Sequence, residues 1–338
     1  MKINDNFFMK LAIDEAWKYQ FLTYPNPAVG CVVVKGESEI LAIEAHKEAG
    51  EAHAEVNALK AAFLKYHPND ILKTKSSSQD IHDYLIKNHN DFFTDCTIYV
   101  TLEPCNHIGK TPACANLLKE IRPKKVIVAH EDLNKEAKGG CETLKSANID
   151  VSVGCMEKEA YALLYPFIKW NNGTFIFYKM AQTLNGSIDG SISTNAAKAY
   201  VHTLRDKTDL MLIGGNTVRI DKPTLDARYI AGNAPDIFIY SKSKAFDTNI
   251  PLFKIPNRQV FISDDLFKVL DYKFVMVEGT YNLLDKLKDR LDYIVLLVNP
   301  KIRKGINALN EIDIDFEIVH ENYIGEEKIM FLKRKLSV

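Results

Sequence analysis

His53-Ala54-Glu55 and the stretch from Pro104-Cys105 to Cys114 constrain this chain more than any other feature in it. One imidazole and two thiols are three ligands of the kind zinc prefers, and three protein ligands leave the fourth tetrahedral position open to water. Glu55 is not needed as a ligand. It sits close enough to His53 to move protons to and from an activated water, the division of labour of a zinc deaminase. The first half of the chain is therefore expected to remove an amino group from a nitrogen heterocycle.

For distant segments to share one ion they must end on the same edge of a sheet, and the local pattern puts them there. Apolar residues at helical spacing predict a helix over Phe7 to Tyr19, broken by Pro25-Asn26-Pro27. Val29 to Val34 reads as a strand and Ile40 to Glu44 as its partner across the turn at Lys35-Gly36-Glu37. A helix follows over His53 to Leu64, then a strand over Thr97 to Thr101, a helix over Ala113 to Ile121 and a strand over Lys125 to Ala129. This alternation predicts an α/β layer. Both metal segments fall at helix N-termini, where the partial positive charge favours thiolate. The polar stretch Lys65 to Thr94 carries His67, His82 and His89 at no recognised ligand spacing and reads as a surface insertion. Cys31, Cys96, Cys141 and Cys155 lie in or beside apolar strand-like runs and read as small buried hydrophobes.

At 338 residues, two domains are expected. A formal net charge of −1 gives no global attraction to nucleic acid or anionic membrane. No apolar run approaches the ~18 residues of a membrane span, the N-terminal segment has no signal-peptide core, and six cysteines are too few for a disulfide scaffold. The expected setting is cytoplasmic. Glu157 to Trp170 reads as a helix bridging the halves. A second α/β run begins at Phe175, with strands at Leu210 to Ile213, Asp236 to Tyr240, Gln259 to Ile262, Phe274 to Val277 and Tyr293 to Val298, and a last pair at Phe316 to Val319 and Lys328 to Phe331. No G-x-G-x-x-G follows a strand there, so a Rossmann fingerprint is absent.

Pro25 to Val32, His53-Ala54-Glu55-Val56 and Thr101-Leu102-Glu103-Pro104-Cys105 through Thr111-Pro112-Ala113-Cys114 together resemble the bifunctional deaminase–reductase of riboflavin biosynthesis. The long step from Cys105 to Cys114, with its His-x-Gly-Lys-Thr-Pro loop, separates this pattern from the P-C-x-x-C of cytidine and tRNA-adenosine deaminases. The resemblance implies zinc on His53, Cys105 and Cys114, with Glu55 catalytic. It also implies that Asn26 and His46 contact the substrate base or ribose, and that His107 and Lys110 help bind its phosphate. Asp132-Leu133-Asn134 with Gly139-Gly140 resembles the loop after the family's last deaminase strand, without its usual prolines.

In the second half, Lys179 to Gly186 resembles the reductase opening K-x-A-x-S-L-D-G, with Asn185 in place of the usual aspartate. Gly214 to Leu225 with Arg228 matches G-x-x-T-V-x-x-D-x-P-x-L-x-x-R, and Val277-Glu278-Gly279 resembles the later V-E-G. The resemblance implies NADPH on Ala181, Thr217, Asp221, Ser241 and Gly279, and the phosphoribosyl substrate on Arg205, Leu225, Arg228 and Glu278. After Gly186 the family's longer loop, with its tryptophan, is shortened to Ser187 to Thr194. The implied architecture is an N-terminal cytidine-deaminase-like three-layer α/β domain over 1–150, with a surface insertion at about 65–95. A helical linker over 151–173 and a C-terminal dihydrofolate-reductase-like α/β domain over 174–338 follow. The implied partners are small phosphoribosylaminopyrimidines rather than nucleic acid or membrane, and the implied assembly is a homo-oligomer. Three other readings remain open: a degenerate or structural second domain, a nucleic-acid base deaminase, and a structural zinc with His107 as its fourth ligand.

Overall fold

A computed structural model describes residues 4–107, 109, 111–134, 137–306 and 314–335. It divides into two compact units, Met1–Ile168 and Lys169–Val338.

In the first unit the described elements are α1 (Asp5–Trp17), β1 (Gly30–Lys35), β2 (Glu39–Ala45), α2 (Ala54–Tyr66), α3 (Ser78–Asn88), β3 (Cys96–Leu102), α4 (Cys114–Ile121), β4 (Lys125–His130), α5 (Gly140–Ser146), β5 (Asp150–Val153) and the start of α6 (Glu157–Asn172). The strands form one sheet in the order β2-β1-β3-β4-β5. β1 runs antiparallel to β2 and β3, while β3, β4 and β5 are parallel. The central strands are almost continuously buried because both faces are covered. Alternate residues divide between the faces. Cys31, Val33, Ile98, Val100, Val126 and Val128 share a core with Val56, Leu59 and Phe63 of α2 and Leu117 and Leu118 of α4. On the other face α1 packs against the sheet, with Phe8 5.1 Å from the Tyr99 ring.

The 65–95 stretch is not a surface insertion alone. Leu72, Ile81, Leu85 and Phe93 are fully buried in the same core, and α3 presents Ile81 and Leu85 to it from one helical turn. Two apolar residues four apart inside a polar segment suffice to bury one stripe, and the polar composition of the remaining faces hides it. Cys31, Cys96 and Cys141 are buried as expected, whereas Cys155 is half-buried and faces Asn6 Oδ1 at 3.4 Å.

In the second unit are β6 (Phe175–Thr183), α7 (Asn195–Lys207), β7 (Leu210–Gly214), α8 (Gly215–Asp221), β8 (Asp236–Tyr240), β9 (Val260–Ser263), β10 (Phe274–Glu278), α9 (Tyr281–Leu287), β11 (Tyr293–Asn299), β12 (Phe316–Ile324) and β13 (Glu327–Arg334). The sheet order is β12-β13-β11-β6-β10-β7-β8-β9. It is parallel from β11 to β9 and antiparallel at β13 and β12. One face buries Ile176, Tyr178, Leu212, Val275 and Val277 against Leu283, Leu284 and Leu287 of α9. The other stacks Phe175, Phe177 and Phe274 around Trp170. Among the described residues no helix is long and apolar enough to cross a membrane.

Candidate active sites

Two cavities among the described residues, one in each unit, open where strand ends meet helix starts. In the first unit a cavity of about 440 Å³ is lined by Asn26, His46, His53, Glu55, Cys105, His107, Asp132 and Asn134, among others. His53 is the N-cap of α2, and Cys114 is the first residue of α4. Cys105 sits in the loop after β3, and its Sγ accepts from the Cys114 backbone N–H at 3.4 Å.

The ligand atoms of His53, Cys105 and Cys114 lie within 4.8 Å of one another. His53 Nδ1 is 3.6 Å from Cys105 Sγ and 3.4 Å from Cys114 Sγ, so Nδ1 is the nitrogen facing the sulfurs. Its Nε2 lies 3.2 Å from Thr111 Oγ1, which orients the ring from behind. Hydrogen bonding from Cys114 first, and then from His53, draws the Cys105 thiol towards thiolate. Two sulfurs and one imidazole converging on one point, with no fourth side chain among the described residues in the cluster, fit zinc with an open coordination position. His107 lines the cavity but is not part of that cluster, so the four-ligand structural site loses its candidate.

Glu55 is 4% exposed in the first turn of α2. Burial, and after it the charge on Cys105, pushes its carboxyl up to about 7. A group that holds and releases a proton near neutrality is suited to acid–base work. His46 is buried, and burial drives its imidazole down to about 4. Its Nδ1 faces the Ala52 carbonyl at 3.1 Å and so carries the proton, leaving Nε2 to accept from Asn26 Nδ2 at 3.1 Å. Asn26 and His46, both expected at the substrate, therefore act as one hydrogen-bonded unit on the cavity wall. Lys110 lies outside the described residues.

Three positioning residues are given no role by the sequence alone. Thr111 is one. His82 is another: it is buried, and its Nε2 lies 3.3 Å from the carbonyl of Ala113, next to Cys114. The third is Glu103, 4% exposed, whose carboxylate accepts from the backbone N–H groups of Asp132, Gly139 and Cys141 at 3.0–3.1 Å. It ties the Asp132–Asn134 wall to the zinc loop. The fit is close enough that a Cβ on Gly140 would stand 1.8 Å from the Pro104 carbonyl oxygen, and Gly139 has φ +107°. The signal for Glu103 was its place inside the Thr101-to-Cys105 motif.

In the second unit a cavity of about 460 Å³ opens at the carboxyl ends of β6, β7 and β10, the usual place for a ligand in a parallel sheet. Ala181, Arg205, Thr217, Asp221, Leu225, Glu278 and Gly279 all line it. Ser241 and Arg228 are not among the lining residues. Ser241 Oγ accepts from Arg219 at 3.2 Å, and Arg228 pairs with Asp226 at 2.7 Å. Arg205 holds Glu278 through two bonds of 3.0 and 3.1 Å. Burial alone would raise the Glu278 carboxyl, but Arg205 and Lys179 hold it below the usual range.

His202, unmarked in the sequence, lines the same cavity; burial and the Arg205 charge push it down to about 4. The unfolded chain binds this proton near the ordinary value of 6.5, the folded chain only near 4. The contribution is thus complete above 6.5 and lost as pH falls towards 4. His202→Gln is expected to flatten the fall in the thermal midpoint across that window; an unchanged slope would show that His202 does not carry it.

Comparison with known proteins gives each unit a matching domain family. The family model of the cytidine and deoxycytidylate deaminase zinc-binding region matches residues 2–130, and that of the RibD C-terminal domain matches residues 174–302. The riboflavin biosynthesis protein RibD of Aquifex aeolicus (strain VF5) is 31% identical over 379 residues, covering 98% of this chain and 98% of that protein. RibD of Escherichia coli (strain K12) is 33% identical over 238 residues, covering 67% of this chain and 57% of that protein. A Thermotoga maritima structure, described as a diaminohydroxyphosphoribosylaminopyrimidine deaminase/5-amino-6-(5-phosphoribosylamino)uracil reductase, matches 98% of each chain at 26% identity and TM-score 0.66. Acinetobacter baumannii RibD shares the fold at TM-score 0.65 and 24% identity, over 98% of this chain and 99% of its own.

Fold and sites together define a two-part enzyme, a zinc-dependent deaminase of cytidine-deaminase-like fold joined to a reductase of dihydrofolate-reductase-like fold. The chain belongs to the RibD family of riboflavin biosynthesis proteins. It is a deaminase and a reductase acting on small molecules, with zinc and NADPH as its cofactors.

Proposed function

We propose that the first half hydrolyses the 2-amino group of 2,5-diamino-6-(5-phosphoribosylamino)pyrimidin-4(3H)-one, and that the second half reduces the ribosyl group of the resulting 5-amino-6-(5-phosphoribosylamino)uracil to ribityl. The observation that carries this reading is the convergence of His53, Cys105 and Cys114 beside buried Glu55 in one cavity. The deaminase step is placed in 1–150, the reductase step in 174–338, and 151–173 joins them. We extend the reading to a cytoplasmic homo-oligomer.

Zinc held by His53 Nδ1 and the two sulfurs supplies the Lewis acidity that brings a water molecule's pKa towards neutrality. Glu55 takes a proton from the attacking water and delivers it to the ring nitrogen. It then takes the remaining hydroxyl proton of the adduct and passes it to the amino group, which leaves as ammonia as the C–N bond breaks and the C=O forms. Asn26 and His46 hold the base or ribose, with His107 and Lys110 at the phosphate. In the second half Ala181, Thr217, Asp221, Ser241 and Gly279 hold NADPH, which supplies the hydride. Arg205, Leu225, Arg228 and Glu278 orient the phosphoribosyl group, the fork of each arginine suiting a phosphate dianion.

One coupled assay tests the sequence of steps. With the diamino substrate, NADPH absorbance should fall, and a zinc chelator should stop that fall. With the deaminated uracil supplied directly, chelation should make no difference. Equal loss in both arms would remove zinc from the first step, and no NADPH oxidation with the uracil would refute the second.

A further inference from the structure

The shortened loop between β6 and α7 forms one wall of the reductase cavity, through Ile188 and Gly190 to Ser193. Two buried side chains grip it from outside the cavity. Asn299, at the end of β11, is 1% exposed and donates from Nδ2 to the Ile192 carbonyl at 2.9 Å. The same Nδ2 lies 3.2 Å from Oε1 of Glu327, the first residue of β13. Glu327 is 0% exposed, and its Oε1 also accepts from the Thr194 backbone N–H.

Thr194 is the N-cap of α7, accepting from Ala197 N–H through its side chain. Glu327 therefore holds the residue at which α7 begins. That helix carries Lys198, Val201, His202 and Arg205 into the cavity. A shift at Thr194 moves the wall and the arginine together.

Stability alone does not account for this pair. Glu327 Oε2 and Asn299 Oδ1 are buried without a partner among the described residues, which costs free energy. An apolar pair would remove those two orphaned atoms but would leave the Thr194 N–H and the Ile192 carbonyl unpaired. What the pair alone supplies is an acceptor for Thr194 N–H and a donor for the Ile192 carbonyl, both on the cavity loop.

We infer that Asn299 and Glu327 are positioning residues for the reduction, setting the Gly190–Ser193 wall and the start of α7. This rests on the second unit being the reductase. Neither residue lines the cavity, so both act through Ile192 and Thr194.

The test uses the full chain, supplied with the deaminated uracil substrate and NADPH. Glu327→Ala should lower kcat/KM of reduction on the order of tenfold or more, the effect of losing a buried charge-assisted hydrogen bond. Deamination by the same molecules should be unchanged. Glu327→Gln keeps the Oε1 acceptor and should retain most of the rate. Asn299→Asp sets a carboxylate against Glu327 and the Ile192 carbonyl. Its reduction rate, relative to the wild type, should recover as pH falls and the new carboxyl takes a proton that restores the donor. Full activity in Glu327→Ala overturns the inference, as does a Gln variant no better than Ala. If Glu327→Ala loses the hydrogen-exchange protection of β6 and β10, the Asn299→Asp profile decides, and a flat relative profile overturns it. Wild-type protein that oxidises no NADPH would instead refute the reductase assignment on which the inference rests.

Discussion

Glu55→Gln is expected to abolish deamination while leaving reduction at the wild-type rate. Glutamine matches glutamate in size and fills the same buried place at the start of α2. The ligand cluster of His53, Cys105 and Cys114 does not include Glu55, so zinc should remain at one per chain. What is lost is a carboxyl that burial has raised to about 7, able to accept and return protons near neutrality. Proton transfer by such a group contributes ~10²–10⁴-fold, and the fall in ammonia release should be at least that large. Zinc content, ammonia release and NADPH oxidation measured on one preparation separate the possibilities. Wild-type ammonia release with zinc in place would show that another group moves the proton.

Arg205→Met is expected to damage the second unit in both stability and reduction. The Arg205 and Glu278 side chains are 13% and 16% exposed and joined by two hydrogen bonds. Removing one partner of a buried pair strands the other, at a cost of roughly 3–5 kcal/mol. Lys179 still faces Glu278, which places this case at the lower end of that range. The pH dependence has a definite sign. Glu278 is held below its ordinary range, so the pair stabilises the fold above that range and loses its effect as pH falls through the folded value. The difference between wild type and Arg205→Met should therefore be largest near neutrality and shrink in acid. Adding Glu278→Gln removes the stranded charge and should restore most of the thermal midpoint but not the reduction, because the substrate contact proposed for Arg205 is still missing. If the double variant recovers both, Arg205 is structural only. If the single variant is as stable as wild type, the pair carries no net stability.

Much of the molecule is legible in the sequence because local rules dominate where both faces of a sheet are covered. Val29 to Val34, Thr97 to Thr101 and Phe274 to Val277 are short apolar runs between breakers, and each is a buried strand. The zinc ligands are legible because two thiols and an imidazole gathered at helix starts serve packing poorly and a soft metal well. The 65–95 stretch reads as mere surface because Ile81 and Leu85 form only one stripe in a polar segment, and composition averages that stripe away. His82 stands at no ligand spacing and is not in the metal cluster, yet its contact with the Ala113 carbonyl is a long-range hydrogen bond that no spacing encodes. His202 carries no sequence signal because its low proton affinity arises from burial and from Arg205 one turn along α7, not from a motif.

Residue chemistry and order along the chain were enough to pick out the three residues that converge as a metal cluster, the alternation of strands and helices, and the family. These depend on residue identity and on periodicity, both written locally. The hydrogen bond that couples Asn26 to His46, the carboxylate of Glu103 that ties the Asp132–Asn134 wall to the zinc loop, and the grip of Asn299 and Glu327 on the loop before α7 are of another kind. Each joins residues 20 to 133 positions apart. Such contacts exist only once the sheets have closed and water has been excluded, when an unpartnered donor becomes costly enough to select one geometry.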